Sequence, residues 1–372
     1  MAYCYYRPYI SVRCSFFRGN FHEGCVSYNW GLGHATRCVP IIESFLENNY
    51  KVIVATESPL TEFFQERFPE IEMAFLPGPK ITYHHKGSLA RKIISQIPRW
   101  AVWTIKEKQL LKELVKIHLP FKIISDNRYG IRMKNIPSIL ITHQLMIKLP
   151  ARLQFFEGLL HRIIRQLILR FDECWIPDEE MALGLSGDLS HKYPLPKNAK
   201  FIGIQSRFMI QQVENEPLMS LPNADILVIL SGPEPQKNIL KEQLIRLLLR
   251  TNYSVVMITG DPSFPPISET GKNKNLTFFS HLSQNLLKQL IEKTPIIISR
   301  SGYSSIMDFW YLQKNAILIP TPGQTEQEYL AQHLKEYFSI IPQNKLNEYN
   351  LKKALSTIPS KNRIPKAGSK EF

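Results

Sequence analysis

The chain has 372 residues, 44% apolar and 21% charged, a globular composition with length for two domains of ordinary size. Its net charge of +14 leans toward the first half: residues 1–205 hold 27 Lys/Arg against 18 Asp/Glu, the rest 19 against 14. That balance favours anionic membranes, nucleic acid or phosphorylated substrates as partners. The five cysteines show no C-x-x-C spacing, which points to free thiols in a reducing compartment and away from a zinc site, and no run approaches about 18 apolar residues, the length of a membrane span.

Residues 1–20 mix arginines with apolar residues, lack the unbroken apolar core of a signal peptide, and are left outside the fold argument. A weak strand is expected at 24–28, then the stretch "NWGLGHATR" and a helix over about 35–48. Two glycines in three residues allow a sharp turn or a close approach, and a helix start beside them offers free N–H groups to an anion. The third glycine of a dinucleotide fingerprint is missing. A buried β-branched strand follows at 51–56, a helix in "PLTEFFQERF" and a strand at 72–77, an order that predicts a parallel, doubly wound sheet. Residues 89–118 read as a long basic helix. Strands at 121–126 and 138–143 end on Asp126 and His143, at the strand tips where α/β proteins bind ligands. A basic amphipathic helix is expected at 152–171, then strands at 173–177 and 199–204. Residues 205–223, polar with two prolines, suit a linker.

The pattern then restarts. Strands are expected at 225–232, 253–260, 276–280, 295–299 and 315–320, with helices at 237–250 and 285–293 and helix starts near Tyr303 and Glu326. A last helix is expected at 346–358, before a basic tail. Three loops at strand ends could carry chemistry. In "SRSGYSSIMDF" (299–309), Gly302 permits a tight turn, Ser304 and Ser305 can cap a helix whose amides hold a diphosphate, and Asp308 could accept from ribose hydroxyls. "PTPGQTEQEYLA" (320–331) gathers Gln324, Thr325, Glu326, Gln327 and Glu328, donors and acceptors suited to a sugar. "LSGPEPQKN" (230–238) offers Ser231 and Gly232 to a phosphate. Each also has a plain reading, as a turn or as a capped helix start.

Together "WGLGHATR", "SDNRYG", "ITHQL", "SGPEPQ", "SRSGYSSIMDF" and "PTPGQTEQEYLA" resemble a family of bacterial and archaeal GT-B glycosyltransferases. These are relatives of the enzyme that adds N-acetylglucosamine to the lipid-linked peptidoglycan precursor. The resemblance covers about residues 29–342. It implies an α/β GT-B fold of two doubly wound Rossmann-like domains facing a cleft. The division would be an unassigned extension (1–20), an acceptor-binding domain (21–205), a linker (206–222), a nucleotide-sugar-binding domain (223–342) and a final helix and tail (343–372). The residue matching Asp308 is a glutamate on the ribose in the peptidoglycan relative, and those matching Gln327 and Glu328 face the donor sugar. Gly31, Gly33 and His34 match its glycine loop.

The expected reaction moves a hexose-type sugar from a nucleotide diphosphate sugar, with UDP implied by the resemblance, to an acceptor hydroxyl. The leaving diphosphate must be stabilised and the acceptor must lose a proton. Helix starts at 303 and near 34, helped by Arg300, would supply the first without a metal or cofactor. For the base, His34 comes first, with Asp126 and His143 in reserve. The donor side comprises Gly31, Gly33, Ser231, Gly232, Arg300, Ser301, Gly302, Tyr303, Ser304, Asp308, Gln324, Thr325, Glu326, Gln327 and Glu328. The helices at 89–118 and 152–171 suit an anionic membrane surface and a lipid-linked or cell-envelope acceptor, which implies a cytoplasmic protein at the inner face of the membrane. No motif of a nucleic-acid-binding module is present. The alternatives are a nucleotide-sugar epimerase on the same fold and a non-catalytic nucleotide-sugar-binding protein.

Overall fold

The computed structural model describes residues 22–26, 32–78, 89–180, 184–209, 221–232, 234–260, 267–269, 275–358 and 364. The expectations for residues 1–20 and Gly31, and for most of the linker and tail, lie outside them.

The first half builds a seven-stranded sheet. In chain order its elements are β1 (His22–Val26), α1 (Leu32–Glu47), β2 (Lys51–Thr56), α2 (Leu60–Arg67), β3 (Glu72–Phe75), α3 (Leu89–His118), β4 (Lys122–Asp126) and β5 (Ser138–Ile141). Then come α4 (Glu157–Ile168), β6 (Glu173–Ile176), the short α5 (Asp188–His191) and β7 (Ala199–Phe201). The strand order is β3-β2-β1-β4-β5-β6-β7, parallel throughout. Helices cover both faces of such a sheet, so its strands read as unbroken apolar runs. Accordingly Val52 to Thr56 and all of β5 are buried.

The second half repeats the plan with β8 (Ile226–Ile229), α6 (Gln236–Leu248), β9 (Val255–Ile258), β10 (Ile267–Glu269), β11 (Leu276–Phe279), α7 (Gln284–Lys293) and β12 (Ile296–Ser299). It closes with α8 (Tyr303–Tyr311), β13 (Ala316–Leu318), α9 (Thr325–His333), β14 (Ser339–Ile340) and α10 (Glu348–Thr357). The order is β10-β11-β9-β8-β12-β13-β14, with β10 the antiparallel edge.

Both sheets reverse their winding at one point, between β1 and β4 in the first and between β8 and β12 in the second. A crevice opens at the carboxyl ends of the strands at such a point. Side chains of the two halves also share one hydrophobic cluster. Leu185, Leu189 and Ile204, which precede the expected linker, pack with Leu227, Ile297, Met307, Phe309 and Phe338 of the second half and with Ile364. The helix expected at 152–171 is instead a 3-10 turn, Ala151–Phe156, running into α4.

Candidate active site

The tips of both sheets meet in one place. The start of α8 touches the start of α1, where Ser304 Oγ donates to the Gly33 carbonyl at 2.5 Å and Thr36 Oγ1 donates to the same oxygen at 2.9 Å. Further hydrogen bonds cross between the halves nearby. Tyr303 Oη donates to the Pro177 carbonyl (2.8 Å), Thr325 Oγ1 to the Lys148 carbonyl (2.7 Å) and Asp188 N to Tyr329 Oη (2.6 Å). His333 Nε2 donates to the Gly184 carbonyl and His143 Nε2 to Glu326 Oε1, both at 3.0 Å.

His34 sits in the first turn of α1, partly open to solvent, with Nδ1 2.9 Å from Asp126 Oδ2. Asp126 is fully buried at the end of β4. Directly after it Asn127 takes a left-handed φ of 55°, a conformation asparagine adopts more readily than most, and the chain leaves the sheet there. Burial lowers the pKa of His34 below the ordinary 6.5, Arg37 lowers it further, and Asp126 opposes both. Burial by itself would raise Asp126, but the charge of Arg37 and the bond to His34 more than offset it and hold the carboxyl below its usual range. At neutral pH the pair is therefore a neutral imidazole beside a carboxylate, the arrangement that orients a general base.

Arg37, which the sequence reading passed over, joins the candidates. It lies one helical turn after His34, on the same face of α1. Its Nε and Nη2 both donate to Asp126 Oδ1, and Nη1 donates to His143 Nδ1 at 3.2 Å. His143 thus uses one nitrogen to accept from Arg37 and the other to donate to Glu326. It also stacks on Tyr303, ring centroids 4.0 Å apart and planes 10° from parallel. Both ring nitrogens of this reserve-base candidate therefore have partners within the protein. Asp126 is enclosed, with its carboxyl held below the usual range and engaged by His34 and Arg37. Gln144, also unforeseen, donates Nε2 to Glu326 Oε2.

Several donor-side candidates have partners within the protein. Asp308 does not face open space: it is buried, accepting from Ser206 Oγ at 2.7 Å and Arg207 Nε at 3.0 Å in the segment joining the halves. Arg300 turns under the sheet and donates to the carbonyls of Ile319, Pro320 and Gln236 and to Gln343 Oε1. Burial lowers its pKa to about 10. It ties three loops together and does not reach out to a phosphate. Ser301 Oγ donates to the Gln327 carbonyl, and Gln327 Oε1 accepts from Thr321 N. Glu328 Oε1 accepts from Gly323 N. Tyr303 is buried against His143. Asp308, Arg300, Ser301, Gln327 and Tyr303 are thus buried within the loops, whereas Glu328 stays exposed.

Ser231, Gly232, Gly302 and Gln324 remain partly or fully open. They follow β8, β12 and β13, adjacent strands of one sheet, and so line one edge. A Cβ added at Gly302 or at Gly232 would meet nothing within 4 Å. Gly302 is the N-cap of α8, whose first amides point into that space.

Residues 228–372 match the family model described as glycosyltransferase family 28 C-terminal domain. Among solved structures the chain is similar to the glycotransferase of kitacinnamycin, with TM-score 0.63, 13% identity and coverage of 91% of this chain and 90% of that one. It is similar to the spinosyn rhamnosyltransferase SpnG complexed with thymidine diphosphate, with TM-score 0.60, 12% identity and coverage of 91% and 92%. It is also similar to the glycosyltransferase SnogD from Streptomyces nogalater, with TM-score 0.59, 12% identity and coverage of 90% and 91%. No curated protein matches the chain by sequence. The fold is GT-B, two Rossmann-like units with mainly parallel sheets.

Proposed function

We propose that the protein is a glycosyltransferase that moves a hexose-type sugar from a nucleotide diphosphate sugar to an acceptor hydroxyl, with His34 as general base and Asp126 as its orienting partner. The observation that carries the reading is the His34–Asp126 pair at the switch point of the first sheet, in contact through Gly33 with the start of α8 at the switch point of the second. A base and an anion-binding helix start are the two things the reaction needs, and the contact between Gly33 and Ser304 that brings these two segments together supports the reading. The family match of residues 228–372 supports a nucleotide-sugar site in the second half.

In this mechanism the diphosphate lies on the amides at the start of α8, beside Ser231, Gly232 and Gly302. The helix dipole and N–H groups stabilise the negative charge that develops as the glycosidic oxygen leaves. His34 takes the proton of the attacking hydroxyl, and Asp126 stabilises the imidazolium that forms. Glu326, in the loop where the resemblance places the donor sugar, contributes an acceptor there. UDP is the donor nucleotide of first choice, from the resemblance. The structure of SpnG with thymidine diphosphate makes dTDP the comparison.

The acceptor we assign is lipid-linked. Phe155, Phe156, Leu159 and Ile163 are 75%, 43%, 52% and 50% exposed, and Arg152 and Arg162 beside them are exposed as well. Residues 155, 159 and 163 recur at helical spacing, so α4 and the turn before it present an apolar stripe with a basic margin. Such a stripe lies on an anionic membrane surface. No helix among the described residues is long and apolar enough to cross a membrane.

The deciding experiment is a thermal-shift titration with UDP, dTDP and their hexose conjugates. A ligand present at about 100 times its Kd raises stability by about 2.7 kcal/mol. A rise with one nucleoside diphosphate, followed by its release from the sugar conjugate when extracted membrane lipid is added, is the expected result. A protein that binds no nucleoside diphosphate is not this enzyme. Epimerised donor formed without acceptor would assign the site to an epimerase.

A further inference from the structure

A continuous file of polar side chains runs between the two halves, and proton abstraction by His34 does not by itself require all of it. It begins at Glu326, at the head of α9, which accepts from His143 Nε2 at 3.0 Å and from Gln144 Nε2. With that proton committed, His143 presents the lone pair of Nδ1 to Arg37 Nη1 at 3.2 Å. Arg37 places Nε and Nη2 on Asp126 Oδ1, and Asp126 Oδ2 faces His34 Nδ1 at 2.9 Å. His143 lies flat on Tyr303, so its ring cannot turn unless the head of α8 moves.

The far end of this file contains a conflict. His34 Nδ1 is 2.9 Å from an acceptor, Asp126 Oδ2, and 2.7 Å from a donor, Arg37 Nη2. One ring nitrogen cannot serve both in the neutral imidazole. With the proton on Nδ1, the ring donates to Asp126 and Nε2 carries the lone pair a base needs. With the lone pair on Nδ1, the ring accepts from Arg37, Nε2 carries the proton, and the base is lost. The aim of Arg37 decides between the two. His143 draws Nη1 one way and Asp126 draws Nε and Nη2 the other, which fixes the guanidinium plane. Glu326 in turn fixes the tautomer of His143 that can accept from Arg37. Among the described residues, the charged or titratable groups facing this file include Asp126, His143, Arg37 and Glu326 around His34, Cys38, Glu326, Asp126 and Tyr303 around Arg37, and Tyr303 against His143.

We propose that Arg37 and His143 are positioning residues that hold His34 in its Nδ1–H tautomer while Glu326 of the second half engages His143, so that contact between the halves sets the base. The purpose of the device rests on the glycosyl transfer proposed above; its geometry does not. A crevice whose halves have parted leaves His143 without Glu326, Arg37 without a fixed acceptor for Nη1, and His34 in the tautomer that takes no proton. Proton abstraction is thereby confined to the closed arrangement, in which the donor is shielded from water.

The test reads the ring nitrogens directly. The full-length protein is labelled with nitrogen-15 in its histidines, the His34 signals are identified by their loss in His34→Gln, and spectra are taken at a pH where the ring is neutral. In the wild type, Nδ1 of His34 resonates as a protonated nitrogen. Glu326→Ala and His143→Phe move it to the unprotonated range, with the proton appearing on Nε2. Glu326→Gln keeps an acceptor for His143 and retains the wild-type tautomer. If His143→Phe does not fold, the two Glu326 variants, altered at the partly open cleft, decide alone. An unchanged His34 tautomer in Glu326→Ala overturns the proposal, as does a wild type with Nδ1 unprotonated. Calorimetry of the wild type with UDP and dTDP is run in parallel. Absence of binding there counts against the transferase reading and leaves the tautomer result standing, whereas binding with an unmoved tautomer refutes the positioning device alone.

Discussion

At the scale of single residues, the proposed mechanism turns on His34. His34→Ala is expected to lower kcat by roughly 10²- to 10⁴-fold, the usual worth of a general base, while Kd for the nucleoside diphosphate changes little. Undiminished turnover in the variant would remove His34 from the mechanism. A base works when deprotonated, so kcat/KM should rise with pH through the pKa of His34. Because burial and Arg37 lower that pKa, the acidic limb should fall below the ordinary 6.5. Both His34 and Asp126 could be found in the sequence, since each ends a motif at a strand tip or helix start. Arg37 was not, although it stands in the quoted stretch: a lone arginine before an apolar helical run reads as a surface charge, and only the approach of Asp126 and His143 from distant strands buries it. Another buried carboxylate sets a stability prediction. Asp178 accepts from the amides of Glu179, Leu185 and Ser186, from Ser186 Oγ and from His191 Nε2. Burial would raise its pKa, but these donors outweigh it and lower the value. The stability it adds is therefore complete above the ordinary 3.8 and is lost as pH falls through the lowered value. Asp178→Ala should cost about 3 kcal/mol in chemical denaturation, because it strands several buried donors at once.

At the scale of elements, the start of α8 separates a binding role from a structural one. Gly302 has φ −71°, which any residue adopts, and a Cβ there meets no protein atom within 4 Å. Gly302→Ala should therefore leave Tm unchanged and still weaken nucleoside diphosphate binding, since the new methyl projects toward the ligand. Equal affinity in the variant would mean that the anion sits elsewhere. Most strands of both sheets were legible because buried parallel strands are short apolar runs, and β2 matches its expected limits residue for residue. Strands β10 and β14 and helix α5 were not, being two to four residues long and without a period to detect. Asp308 shows a different limit. Its place on a helix could be read, but its partners Ser206 and Arg207 are about a hundred positions away and belong to a stretch that looks like plain linker.

At the scale of the whole molecule, the apolar stripe on α4 and the turn before it should govern where the protein resides. Flotation with vesicles of anionic phospholipid should carry the protein upward at low salt. Phe155→Ser with Leu159→Ser should abolish this with little change in Tm, since both side chains are more than half exposed. Wild-type protein that stays at the bottom of the gradient would argue for a water-soluble acceptor.

The shared hydrocarbon of the two halves has a practical corollary. Leu185, Leu189 and Ile204 belong by sequence to the first half and by packing to the second, whose cluster also receives Ile364. A gene divided after codon 205 would yield two polypeptides, each with a greasy wound where the other had been, and either one expressed singly should precipitate. Produced together in one cell, they should find each other and restore a soluble, nicked molecule.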